Sequence, residues 1–155
     1  NALVPVQMPV CMKCGKGLSE KEKEYCYDCE RKNFSYEKGY SMWVYNETMQ
    51  RSIAAFKYHG MGEFKTYYAE QMIKRYGMQL RKLSLDAVIP VPMYEPKKKK
   101  RGYNQAELIA GEIGRRLGVP VMSDYLIRNR NTKPQKELND VERLENLQNA
   151  FAVNS

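Results

Sequence analysis

The sequence predicts an α/β protein, with part of a parallel sheet standing behind an amino-terminal four-cysteine module. Two observations predict it. Two Cys-x-x-Cys pairs lie near the start, eleven residues apart, with no cysteine left over. Further on, an apolar run stopped by prolines, a basic stretch, a helical stripe and a second apolar run follow in order. That order reads strand, loop, helix, strand, a crossover that implies parallel pairing. The expected division is a knuckle module over residues 1–38 and a sheet domain over residues 39–155.

The totals set limits. A length of 155 residues suits one domain with a small satellite. The net charge of +8 suggests a polyanionic partner, a nucleic acid or another phosphate-rich ligand. The plainer reading is that lysine keeps the surface soluble. No stretch approaches the ~18 apolar residues of a membrane span, so no insertion is expected. The opening segment has neither a basic start nor a long apolar run. It does not read as a secretory signal, and a cytoplasmic location is expected.

The first pair, Cys11 and Cys14, is followed by Gly15, and the second is Cys26 and Cys29. In a reducing compartment this spacing reads as one tetrahedral Zn²⁺; in a secreted miniprotein it would be a disulfide framework. A glycine after the second sulfur allows the tight turn that aims backbone N–H groups at the ligands. Four thiolates on one Zn²⁺ fill the shell, so the ion reads as structural. The local charge is then about −2, and Lys13, Lys16, Arg31 and Lys32 stand near enough in sequence to offset it.

Tyr40 to Tyr45 reads as a short strand, and Asn46 as the N-cap of a helix. Met49, Ile53 and Phe56 form the stripe of that helix, and Gly60 and Gly62 are expected to end it. A second helix is expected from Phe64 to Tyr76. Asp86 to Pro92 is the best candidate for a buried strand, and Lys97 to Gly102 reads as a basic loop. A third helix begins at Tyr103 or Asn104, buries Ala106, Ile109, Ile113 and Leu117, and ends at Gly118. Val119 to Ile127 reads as one more strand, Arg128 to Asn149 as an irregular polar tract, and Phe151 to Val153 as the start of another strand.

Four stretches in this order resemble the ComF family, the competence-associated group of phosphoribosyltransferase-like proteins. They are the two knuckles; Phe56 to Gly60; Ile89 to Pro92 through Arg101 to Gln105; and Thr132 to Gln135 with Arg143 and Asn146. The resemblance implies a type I phosphoribosyltransferase fold behind a zinc finger. It implies Mg²⁺ with phosphoribosyl pyrophosphate for a complete protein, a link to DNA uptake, and the competence helicase ComFA as a partner. It also implies pyrophosphate or anion binding by the segment after the first strand, here Lys99, Lys100, Arg101, Gly102, Tyr103, Asn104 and Gln105. Arg101 is the preferred contact, since a guanidinium pairs bidentately with phosphate. Two readings stand for the lysine run, a pyrophosphate contact or a solvated mobile loop. Gly102 either admits a close backbone approach or makes a turn, and Asn104 either lines the site or caps a helix. Arg128, Arg130, Lys133, Gln135 and Arg143 fall where such enzymes carry a flexible loop that closes over the diphosphate.

The sequence departs from the family at one point. The family signature needs two adjacent acidic residues and a Thr-Gly loop, and this chain has neither. The stretch is expected to lack the ribose-phosphate half of the site, to be inactive as given, and to self-associate through uncovered apolar edges. The other class of function is a non-catalytic, zinc-dependent single-stranded DNA-binding protein. His59 is the lone histidine and receives no catalytic role.

Overall fold

A computed structural model describes residues 2–58 and 61–154. His59 and Gly60 lie outside the described residues. The chain forms two compact units, Asn1–Ala55 and Phe56–Ser155.

In the first unit the segment around Trp43 returns beside the amino terminus. Val6 N–H donates to Met42 C=O (3.0 Å) and Val44 N–H to Val4 C=O (2.8 Å), with an antiparallel bridge between Pro5 and Trp43. The expected strand is therefore only a bridge. Helix α1 (Tyr27–Arg31) begins at the second cysteine pair. Helix α2 (Glu47–Tyr58) starts where Asn46 Oδ1 accepts from Met49 N–H at 2.9 Å, as the capping pattern predicts.

The second unit is built on α3 (Met61–Lys82), which packs against α5 (Gln105–Leu117). Gly62 lies inside α3, so it ends no helix, and α3 is longer at both ends than its apolar stripe suggests. Phe56 is 2% exposed and gathers Phe64, Tyr68 and Tyr103, with ring centroids 5.6, 5.6 and 6.4 Å away. On α5 the most deeply buried positions are Ala110 and Gly114. A Cβ at Gly114 would lie 2.4 Å from Val121 Cγ2, so glycine lets the following segment press onto the helix.

The basic tract is not a loop. It forms helix α4 (Glu95–Arg101), with Pro96 in the first turn, an acid at the start and four cations in the last turn. Proline suits an N-terminal turn and cations suit a C-terminal one, where unpaired carbonyls leave partial negative charge. Gly102 ends it at φ +91°, its N–H donating to Lys98 C=O at 2.7 Å. Asn104 then caps α5, and Gly118 closes that helix at φ +71°.

Of the expected strand, helix, strand crossover the helix is present, but neither flanking segment is a strand, and the parallel sheet is reduced to one bridge between Val88 and Val121. Val88 N–H donates to Pro120 C=O (2.8 Å) and Met122 N–H to Val88 C=O (3.0 Å). Pro90, Pro92 and Pro120 remove the donors that would lengthen the ladder. Nor is the first segment buried throughout, since Ile89 is 42% and Val91 63% exposed. Val119 to Ile127 is not one strand. The chain turns after Val121, and β1 (Leu126–Arg128) pairs antiparallel with β2 (Phe151–Val153). Between them the polar tract is ordered into a 3₁₀ turn (Gln135–Glu137) and helix α6 (Asp140–Leu147).

Candidate metal centre and basic cavity

The four sulfurs of Cys11, Cys14, Cys26 and Cys29 all lie within 4.8 Å of one another, and Cys14 Sγ is 3.7 Å from Cys26 Sγ. A tetrahedron with ~2.3 Å zinc–sulfur bonds places sulfurs roughly 3.8 Å apart. All four thiols are free, which sets the disulfide framework aside. Cys11 and Cys26 are buried. The residues fit one tetrahedral divalent cation with no position left for water, hence a structural one.

Local sequence explains the convergence. Gly15, at φ +74°, turns the first knuckle so that its N–H reaches Cys11 C=O (2.9 Å), while Cys11 N–H reaches Lys16 C=O (2.7 Å). A Cβ on Gly15 would meet Gly39 O and Ser41 N at 2.8 Å, so only glycine fits against the returning segment. Ser41 Oγ donates to Cys14 C=O at 3.2 Å. Burial resists ionisation of Cys11, but the N–H groups of Cys14, Cys26 and Lys13 outweigh it and bring its thiol down to about 6. Burial and the neighbouring sulfurs push Cys29 up to about 12. Without metal the cluster thus keeps protons that a divalent cation must displace. Of the cations expected to offset the thiolates, Lys13 stands over the Tyr36 ring (5.2 Å), Arg31 over Tyr27 (4.1 Å), and Lys32 is 3.9 Å from Asp28.

The second site is a cavity of about 360 Å³ lined by Lys57, Tyr58, Lys97, Lys100, Arg101 and Tyr103. It lies where α2 ends beside α4. Gln105 Oε1 accepts from Arg101 Nη1 at 2.8 Å and holds the guanidinium. Tyr103 donates its hydroxyl to Phe56 C=O, which fixes its ring. Lys97 Nζ reaches Thr132 C=O at 3.5 Å.

Of the residues expected to bind the anion, Lys100, Arg101 and Tyr103 line this cavity, and Gln105 braces it. Lys99 is exposed on α4 outside the lining. Gly102 is the cap of α4, and an added Cβ there would meet nothing within 4 Å. Asn104 is committed structurally, its Oδ1 accepting from Ala106 N–H (3.1 Å) and its Nδ2 donating to Val91 C=O (2.9 Å). Lys97 belongs to the lysine run for which a pyrophosphate contact is one reading, whereas Lys57 and Tyr58 have no role in the sequence reading. The Phe56 to Gly60 match marked the latter two without saying what they face.

The five residues of the polar tract do not gather at the cavity. Arg130 donates to the carbonyls of Asn146 (3.0 Å) and Gln148 (2.7 Å), and so closes the end of α6. Asn146 bridges Lys133, accepting from its N–H (3.1 Å) and donating to its C=O (3.0 Å). Arg143 donates to Gln135 C=O (3.0 Å) and to Asp140 (3.1 Å). Arg128 donates to Thr132 Oγ1 and lies over the Phe151 ring at 5.5 Å. Arg128 also lines a smaller cavity of about 150 Å³ with the Lys98–Glu107 ion pair (2.8 Å).

No family profile matches the chain, and no solved structure does. Among curated proteins it is similar to Competence protein F of Haemophilus influenzae, with 30% identity over 148 residues, 94% of this chain and 64% of that protein. It is 28% identical over 138 residues to Competence protein ComFC of Bacillus subtilis, covering 83% of this chain and 52% of that protein. To DNA utilization protein YhgH of Salmonella typhimurium it is 24% identical over 150 residues, 95% of this chain and 66% of that protein. The chain thus spans between about half and two thirds of the curated relatives it matches. Among the described residues no helix is long and apolar enough to cross a membrane. A four-sulfur knuckle ahead of the Arg101 to Gln105 segment, and likeness to two competence proteins along most of its length, support the ComF family for this chain.

Proposed function

We propose that this chain is the zinc-braced, anion-binding portion of a phosphoribosyltransferase-like protein that serves DNA uptake. The observation that carries the reading is the basic cavity. Lys57, Lys97, Lys100 and Arg101 converge on one hollow, and among the described residues no carboxylate lines it. Such a hollow attracts a phosphate-rich ligand, and pyrophosphate is the group the family chemistry would present. In this reading the α4–α5 corner extends the short parallel pairing, and the metal is Zn²⁺. The stretch has no adjacent acids and no Thr-Gly step, so by itself it lacks the groups for the ribose and its 5′-phosphate. Transfer activity, Mg²⁺ with phosphoribosyl pyrophosphate, and the helicase ComFA as partner belong to the complete protein.

The test is thermal melting of the 155-residue chain with inorganic pyrophosphate, with and without Mg²⁺. A rise in melting temperature is expected that Arg101→Gln combined with Lys100→Gln removes. If pyrophosphate leaves melting unchanged while a single-stranded oligonucleotide raises it with a steep salt dependence, the non-catalytic DNA-binding reading replaces this one.

A further inference from the structure

The basic cavity is larger than a phosphate pair requires, and part of its wall is aromatic. Its volume of about 360 Å³ falls in the range of roughly 300–1,000 Å³ typical of small-molecule sites. Two tyrosines line it, and they differ in kind. Tyr103 belongs to the core: its hydroxyl is spent on Phe56 C=O and its ring is set in the Phe56 cluster. Tyr58 does not. It is 71% exposed, and among the described residues its ring stacks on nothing and its hydroxyl has no partner. Phe56, two residues earlier on the same helix, already fills the core position. An uncommitted tyrosine ring beside four cations offers a flat apolar face within reach of a charge-binding floor.

We infer that the cavity is a site for a nucleoside phosphate, with the base laid on Tyr58 and the phosphate held by Lys97, Lys100 and Arg101. The inference rests on the phosphate reading above and adds the ring-bearing half of the ligand. The cations are arranged for it. Gln105 holds Arg101 at 2.8 Å and Thr132 C=O steadies Lys97 at 3.5 Å, so two of the charges stand in place before the ligand arrives. Among the described residues Lys57 and Lys100 meet no carboxylate, which leaves both charges available. A free nucleotide and the 5′-phosphorylated end of a single strand present the same chemistry.

The experiment is calorimetric titration of the purified chain with adenosine 5′-monophosphate and, separately, with ribose 5-phosphate. The two share the sugar phosphate and differ by the ring. The nucleotide is expected to bind roughly five- to hundredfold tighter, the range that base–aromatic stacking supports. Tyr58→Ala should erase that preference and leave ribose 5-phosphate binding unchanged, and Tyr58→Phe should keep it. Lys100→Gln should weaken both ligands alike. Equal affinity for the two ligands overturns the inference while the phosphate reading stands, and binding of neither overturns both. A preference that survives in Tyr58→Ala also overturns it. Competition by a 5′-phosphorylated oligonucleotide, but not by its 5′-hydroxyl counterpart, would identify a strand end as the source; competition by neither would identify the free nucleotide.

Discussion

Helix α5 carries two glycines one turn apart, and the structure gives them opposite fates on substitution. At Gly111 an added Cβ meets nothing within 4 Å, whereas at Gly114 it lies 2.4 Å from Val121 Cγ2 and 2.7 Å from the Val119 carbonyl oxygen. Alanine in a helix interior is favoured over glycine by about 1 kcal/mol, so Gly111→Ala should stabilise by roughly 0.5–1 kcal/mol. The same gain is available at Gly114 but must be set against overlap. Carbon atoms rest about 3.5–4.0 Å apart, so relief requires a shift of more than 1 Å. Val121 can turn its side chain, but the Val119 carbonyl cannot, since the Val119 N–H is tied to Gly114 C=O at 3.0 Å. Overpacking of this kind costs about 1–3 kcal/mol. Less that gain, the net effect of Gly114→Ala is a loss of up to about 2 kcal/mol, or up to roughly 8 °C in melting temperature for a chain of this size. Melting followed by far-ultraviolet circular dichroism separates the pair. If Gly114→Ala melts at or above the wild type, α5 does not press against the Val119–Val121 segment, and the parallel bridge to Val88 loses its support.

Two further outcomes follow from the metal knuckle and from α5. Chelation of the metal, or Cys11→Ser, should unfold the knuckle and release one divalent cation per chain, measured by elemental analysis of protein purified without chelator; stoichiometric absence of metal would refute the site. Glu112 faces Arg115 (2.8 Å) and Arg116 (3.7 Å), and chiefly Arg115 holds its carboxyl below the ordinary value of 4.5. A lowered carboxyl stabilises the fold above its unfolded pKa and ceases to do so as pH falls through the folded one. The stability difference between wild type and Glu112→Gln should be about 0.3–0.5 kcal/mol per pair at pH 7 and vanish in acid, and a difference that persists there would refute the assignment.

What the sequence disclosed follows from the range of the forces involved. The cysteine spacing, the Asn46 and Asn104 caps and Gly118 are local signals, and each stands where local chemistry requires. The β2 strand was legible for the same reason. The errors came from longer-range terms. Four adjacent lysines suggest repulsion, yet a helix spreads neighbours by about 100° around its axis, and Lys98 finds Glu107 on the next element at 2.8 Å. Arg128 to Asn149 looked structureless because its apolar residues are few and stay outside: Val141 is 65% and Leu144 72% exposed. Its order comes from polar links, the Asn139–Glu142 capping box and the Arg130 and Asn146 bonds to backbone, which hydropathy does not register. Apolar character alone overstates the parallel strands, since three prolines remove donors from their ladder. At the cavity, Lys57 and Tyr58 meet α4 only through the packing of Phe56 and Tyr103, a pairing far apart in the chain.

Because Gly15 and Gly39 meet backbone to backbone, the sulfur knuckle and the returning segment cannot loosen separately. The chain has a single tryptophan, and it lies on that segment, half-buried, opposite Pro5. Nature has thereby wired an optical gauge to the ion: indole emission should redden when the cation leaves and recover when it is restored, with no label attached.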